Sequence, residues 1–499
     1  MRKVMTWLLL MAMLLLPCAA MAQDLTVYSM AGYDDAAANH DWNTNLFFQR
    51  MEKQKGFAFM FSQYTDENTW AQAKQSMIDG VGELPEVLFK ASLSNTEQLQ
   101  MYEKGVLIDL KPYLEEYAPN LWAMLQEHPD WLKAITLPDG AIVALPGINQ
   151  LQNNNAMWIN TTWLETLGLS EPATAQELTE VLRAFKTQDP NRNGKKDEIP
   201  LSFCSLWDLR FLGHAFGLVA NDYYITMDED GQAASILTTD ENRAFLTWLH
   251  ELWTEGLIAQ DGFTTIDSTR RITDSNATMT YGMFLSPTPL NLVPSSALDQ
   301  YSMLQPLFYE GKQTYRDLTG DVITGTFAIT SACPAPEVIV DWVDYLYTEE
   351  GSRLAQGGAE DEEYAWNSDG TWSWIYDTET MANGLLAEAT IADGASMPGL
   401  ASVKFQLAYD DTATHKVIEE LLSLKSVARL PYPQVFLTEE KQARVDAIQA
   451  DLGYYAEQQM VWFVTGDVEL NDDTWNDFCR TLKEKGMDEM LAIWQEAAQ

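Results

Sequence analysis

The chain is 499 residues long, 46% hydrophobic, and carries 31 Lys and Arg against 73 Asp and Glu, a net charge of −42. A surface that acidic repels phosphate backbones and anionic lipid, which argues against nucleic acid or a membrane surface as a partner. Long blocks of like charge are absent, so the acidity is spread over a folded surface, and the length suffices for two large domains.

In chain order, Arg2 and Lys3 precede an apolar run over 7–16 and then Ala20-Met21-Ala22. A charged start, a short apolar core and an A-x-A site predict an export signal over 1–22, with Gln23 as mature start. The run is too short to span a bilayer, and no later stretch reaches the ~18 apolar residues a span needs. Leu-Leu-Pro-Cys at Cys18 resembles a lipobox, but Pro17 stands where a small residue is expected, so plain secretion is favoured over lipid anchoring. The expected location is extracytoplasmic: periplasmic, cell-surface or secreted. Cys204, Cys333 and Cys479 give no disulfide framework and read as buried apolar residues.

Apolar runs over 25–30, 57–61 and 86–90 predict strands. A helical face at Leu46, Phe47 and Met51 and a helix over 67–79 fall between them. Strands alternating with helices argue for a parallel sheet that binds ligands beyond the carboxyl ends of its strands. The loops expected there are 31–45, 62–68 and 91–95. Asp139-Gly140 is a turn before a strand over 141–145, and 157–160 is a further strand. Thr174 and Glu177 form a capping box, followed by Leu178, Val181, Leu182 and Phe185 on one helical face. Further helices are predicted around Phe245, Leu249 and Leu252, from Pro336 to near Gly351, and through the C-terminal tail after Thr438.

The helix capped by Thr174 and Glu177 runs into DPNRNGKKDE at 189–198. Side-chain oxygens fall at Asp189, Asn191, Asn193, Asp197 and Glu198, with Gly194 at the sixth position. A hard cation takes six to eight oxygens at about 2.3–2.6 Å, and this alternation with one tight turn suits calcium. The Lys195 carbonyl would supply the seventh position. Pro200 replaces the Glu of an EF-hand at position twelve, so Asp197 or Glu198 must supply that carboxylate. The bland alternative is an Asn-Gly turn with solvated charges.

No two of His40, His128, His214, His250 and His415 stand at metal spacing, and no HExxH, G-x-S-x-G, Walker A or G-x-G-x-x-G motif occurs. The 17 Trp, 20 Tyr and 19 Phe suit sugar rings, whose apolar faces pack on aromatic side chains. Candidate ligand contacts in loops are Tyr33, Asp35, Trp42, Asn43, Gln63, Lys90, Trp207 and Arg210, then Tyr281 in a short strand over 279–284. Trp366 and Trp374 flank the Asp369-Gly370 turn, whereas Trp372 reads as hairpin packing.

The order of segments resembles the extracellular solute-binding proteins of ABC importers (family 1), in the branch that captures oligosaccharides. It rests on DGAIVALP at Asp139, MWINTTWLETLGLSEPATAQELTEVLRAF at Met157 and DPNRNGKKDEIPL at Asp189. LHELWTEGLIAQDGF at Leu249, GTFAITSACPAPEVIVDWVDYLYTEEG at Gly325 and the tail from Phe436 extend it. The resemblance implies a two-lobed α/β fold of the periplasmic-binding-protein type (type II), joined by hinge strands, with the ligand between the lobes. It implies an N-terminal lobe of 23–150 and 318–357 and a C-terminal lobe of 151–317 and 358–499. The calcium at Asp189, Asn191, Asn193, Lys195, Asp197 and Glu198 would be structural, the partner an ABC permease, and the protein a monomer without catalytic residues. The competing readings are a secreted, calcium-stabilised glycoside hydrolase or lyase, and a sensor subunit of the same fold.

Overall fold

Two sheets account for most of the buried strands in the computed structural model, which describes residues 26–151, 155–264, 281–290, 292–317, 320–377, 380–392 and 396–498. The segment over 1–22 expected to be an export signal, Cys18 included, lies outside the described residues. The first sheet has six strands in the order Gly399–Ala401, Leu145–Asn149, Val322–Ile329, Val87–Phe89, Thr26–Tyr33 and Phe57–Tyr64. Five run parallel; Val322–Ile329 is antiparallel to both neighbours, so the sheet is mixed. Val87, Leu88 and Phe89 are all fully buried, as a central strand covered on both faces must be. Gly32 lies where a Cβ would come 1.6 Å from the Phe89 carbonyl oxygen, so no other residue fits between these strands.

The second sheet runs Tyr301–Leu304, Ala156–Asn160, Tyr281–Ser286 and Ile199–Ser202. Ala156–Asn160 is antiparallel to both neighbours and the other three are parallel. Each sheet has its own core. Helix Ala175–Thr187 packs Leu178, Leu182 and Phe185 into the second, and helix Pro336–Asp344 packs Ile339 and Trp342 into the first. The capping box holds as expected: Glu177 N–H donates to Thr174 Oγ1 at 3.2 Å, and Thr174 N–H donates to Glu177 Oε2 at 3.2 Å.

Three local expectations shift. The strand expected over 141–145 runs Leu145–Asn149, because Ala141 N–H turns to Asp139 Oδ1 at 3.0 Å and Ile142 pairs with Leu110 outside the sheet. The helix expected from Pro336 to Gly351 breaks after Tyr347. There Thr348 opens a second helix, Glu349–Gly357, by accepting from Gly351 N–H at 3.0 Å. Strand Gly399–Ala401 joins the first sheet, although the sequence assigns 358–499 to the second lobe.

The C-terminal tail forms helices Glu439–Thr465, Asp472–Glu484 and Met487–Ala497. The first bridges the lobes: Thr96 Oγ1 donates to Asp446 Oδ2 at 2.8 Å, and Phe436 packs into the first-lobe core. Among the described residues, no helix is long and apolar enough to cross a membrane.

Candidate functional site

The five parallel strands of the first sheet all end on one edge, at Tyr33, Tyr64, Phe89, Asn149 and Ala401, where a mixed or parallel sheet leaves a crevice. The second sheet ends likewise at Ser202, Ser286 and Leu304, with Ala156 starting on that edge. The chain passes from Asn149 to Ala156 in a short connection, so these two edges adjoin. Pair Tyr315–Arg316 with Ala428–Arg429 forms a second link on the way back to Val322.

On the first-lobe edge, Tyr33 is half-buried and its hydroxyl donates to Asp35 Oδ2 at 2.9 Å. Asp35 is exposed and caps the short turn Ala36–Ala38 through Ala37 N–H at 2.7 Å, and that bond first, then Tyr33, holds its carboxyl below the usual range. Asn43 is also exposed, folded onto Asp41 Oδ1 at 3.1 Å. Gln63 braces the loop: its Oε1 accepts from Trp42 N–H at 3.0 Å and its Nε2 donates to the His40 carbonyl at 2.8 Å.

Trp42 and Lys90 differ from expectation. Trp42 is 0% exposed, set edge-on to Phe61 and Phe89, and offers no face to a ligand. Its Nε1 donates to Asp34 Oδ2 at 2.8 Å, and His40 Nδ1 lies 2.8 Å from the same oxygen. Lys90, itself buried, makes an ion pair with Asp34 Oδ1 and reaches the Ile391 carbonyl at 3.4 Å. Burial alone would raise the Asp34 carboxyl, but the His40 hydrogen bond and the Lys90 ammonium outweigh it and hold it low. Asp34 was not singled out from the sequence, where it differs from Asp35 in nothing but position.

At the other end of this edge lies a cavity of about 200 Å³, lined by Asn149, Ser352, Gln356, Ala401 and Gln406 among others. Its polar side chains are chained. Gln406 Nε2 donates to Gln356 Oε1 at 2.8 Å, Gln356 Nε2 to Ser352 Oγ at 2.7 Å, and Ser352 Oγ to the Leu400 carbonyl. The loops expected to bind ligand did not include this wall. Helix Val403–Leu407, which carries Gln406, supports the hairpin Tyr364–Trp366 and Trp372–Trp374. Trp372 is buried and stacked on Phe405, with ring centroids 4.5 Å apart, whereas Trp366 is exposed and Trp374 half-buried.

On the second-lobe edge, Trp207 is half-buried and set edge-on to Phe211. Arg210 lies over the Tyr224 ring, 4.3 Å from its centroid, and pairs with Glu457 at 3.0 Å and Asp222 at 3.6 Å. Arg316, buried, fixes Asp222 from the other side at 2.7 Å. Beside it, His214 Nε2 accepts from Arg316 N–H at 3.2 Å; burial and then the Arg316 charge lower its pKa to about 3, so the ring is neutral. Tyr281 is not on this edge. It pairs with Ile199 at the amino ends of their parallel strands and is buried there.

The loop at 189–198 precedes Ile199 and therefore sits at that amino end too. Asp189 takes Asn193 N–H and Gly194 N–H, each at 3.1 Å, and Asn193 Oδ1 takes Lys195 N–H at 2.7 Å. Gly194 turns the chain at φ 74°. Glu198 Oε1 is buried without a hydrogen-bond partner, and burial, then the Asp189 and Asp197 charges, raise its pKa. An orphaned oxygen among crowded carboxylates fits a bound cation. No group of three or more His, Cys, Asp or Glu among the described residues forms a metal cluster, so amide and carbonyl oxygens would have to complete the shell.

Known proteins share this fold. The chain is 27% identical over 484 residues to the fructooligosaccharide ABC transporter substrate-binding protein FusA of Streptococcus pneumoniae serotype 4, covering 91% of this chain and 87% of that protein. The structure of FusA in complex with kestose matches with a TM-score of 0.77 at 25% identity, over 95% of this chain and 99% of that one. An extracellular solute-binding protein from Bifidobacterium longum subsp. infantis shares the fold, with a TM-score of 0.79 at 21% identity over 96% and 98% of the two chains. Residues 62–353 match the model for bacterial extracellular solute-binding proteins. The chain belongs to that family.

Proposed function

We propose that this protein captures an oligosaccharide between its lobes, outside the cytoplasm, and delivers it unchanged to an ABC permease. The observation that carries the reading is the uncharged polar cavity on the carboxyl edge of the first sheet, within a fold shared end to end with FusA. Ligand contacts on both lobes make closure favourable, because only a ligand that binds the closed state better can shift the population toward it. On the first lobe we assign Tyr33, Asp35, Asn43, Asn149, Gln356 and Gln406. On the second we assign Trp207 and Arg210, with Trp366 and Trp374 as flanking aromatic faces. Trp42 and Lys90 act from beneath, as supports.

Calcium at Asp189, Asn191, Asn193, Lys195, Asp197 and Glu198 has a structural part in this reading, and an EF-hand mutant of FusA is among the similar structures. Bound there, the ion would neutralise the carboxylates that crowd Glu198. The enzyme alternative has no support from the relatives, which are substrate-binding proteins. The test is a thermal-shift screen against an oligosaccharide panel, with chromatography of the sugars afterwards. The reading expects a sugar that raises the melting temperature and is recovered intact. Cleaved products would favour the hydrolase, and an absence of any stabilising sugar would reject oligosaccharide capture.

A further inference from the structure

From the chemistry of the cavity between strands Leu145–Asn149 and Gly399–Ala401, we infer that the ligand presents an uncharged, hydroxyl-rich unit there, and that the protein selects neutral oligosaccharides against uronic-acid chains. This rests on the proposed capture of oligosaccharides. The polar side chains lining the cavity are Asn149, Ser352, Gln356 and Gln406; the described lining contains no Lys, Arg, Asp or Glu. The relay from Gln406 through Gln356 and Ser352 to the Leu400 carbonyl fixes the rotamers of both amides. Gln356 Nε2 also reaches the Ser352 carbonyl at 3.4 Å, so both of its N–H groups are engaged. Gln406, at the head of the relay, keeps a second N–H and its carbonyl oxygen, so it offers the cavity a donor and an acceptor together.

A sugar hydroxyl is both donor and acceptor and can satisfy such a set in either sense. A carboxylate is acceptor-only, and leaving water for a cavity without a cation is costly for it. Lys90 and Lys425, on the flanks of this edge, are already engaged with Asp34 and Asp321. The long-range field points the same way, because a net charge of −42 repels an anionic chain before it arrives. Selection therefore operates twice, at approach and at the cavity, and only the first is screened by salt.

Calorimetry on the full-length mature protein with calcium, using kestose, maltotriose and trigalacturonate at low and at high salt, tests this. At least one neutral trisaccharide should bind at least ~10-fold tighter than trigalacturonate at both salt concentrations, and Gln356→Ala and Gln406→Ala should each weaken it several-fold. Equal or tighter binding of trigalacturonate overturns the selectivity while leaving oligosaccharide capture standing. Unchanged neutral-sugar affinity in both folded variants overturns the assignment of the cavity. If none of the three binds, a wider panel of neutral and uronic-acid sugars decides, and binding of none of them overturns the capture reading and this inference with it.

Discussion

Asp34 is where the site is most sensitive to a single atom. Its two oxygens gather His40, Trp42 and Lys90, all buried, so replacing it breaks a buried ion pair together with the contacts to His40 and Trp42. Breaking a buried ion pair from one side costs about 3–5 kcal/mol, so Asp34→Asn should lose stability on that scale in urea unfolding, while Asp35→Asn, on an exposed turn, should lose little. His214 sets a second prediction. Its folded pKa, about 3, lies below the ordinary value near ~6.5, so the unfolded chain takes up a proton first as the pH falls. Stability from this group is complete above pH ~6.5 and is lost at up to about 1.4 kcal/mol per pH unit down to pH 3. Measured between pH 6.5 and 4.5, His214→Gln should show a shallower loss than the parent. An identical slope would show that the imidazole is not the group involved. The sequence named Trp42 and Lys90 as ligand contacts because loop position was its only guide. Their burial depends on Phe89, Asp34 and Ile391, which only the closed fold brings to them.

Elements were readable in proportion to how local their causes are. Helix Ala175–Thr187 was visible from a cap and a period that lie within it, and the loop after it from alternating oxygens and one Gly. Strand Leu145–Asn149 was misplaced because its partners are Val322–Ile329 and Gly399–Ala401, far along the chain, and the same distance hid the cavity between them. The break at Thr348 was hidden by a continuous helical pattern, although Thr, Glu and Glu in succession are a start signal. At this scale the loop at 189–198 makes the prediction. Chelation should lower the melting temperature and calcium should restore it, and Asp189→Ala should abolish the response. Because burial and then the Asp189 and Asp197 charges raise the Glu198 pKa, Glu198→Gln should make the protein lose less melting temperature on chelation. A melting temperature indifferent to chelation would contradict the assignment of calcium here.

At the scale of the molecule, two sheets meet at their carboxyl edges through short crossings, and helix Glu439–Thr465 ties the second lobe to helix Asn95–Glu103 by the Thr96–Asp446 bond. The two-lobed class was legible from the matched segments; the path of 358–401 was not, because the hairpin and strand Gly399–Ala401 pack back on the first lobe through contacts such as Arg50 with Glu363 and Asn45 with the Thr390 carbonyl. A pair of lobes hinged at adjoining edges is shifted toward the closed state by a ligand that bridges them. Small-angle scattering of the mature protein, with and without a saturating oligosaccharide that calorimetry has shown to bind, tests that most directly. Capture between the lobes predicts a smaller radius of gyration with sugar bound and the sugar recovered intact. An unchanged scattering curve at saturation, or a cleaved sugar, would contradict it.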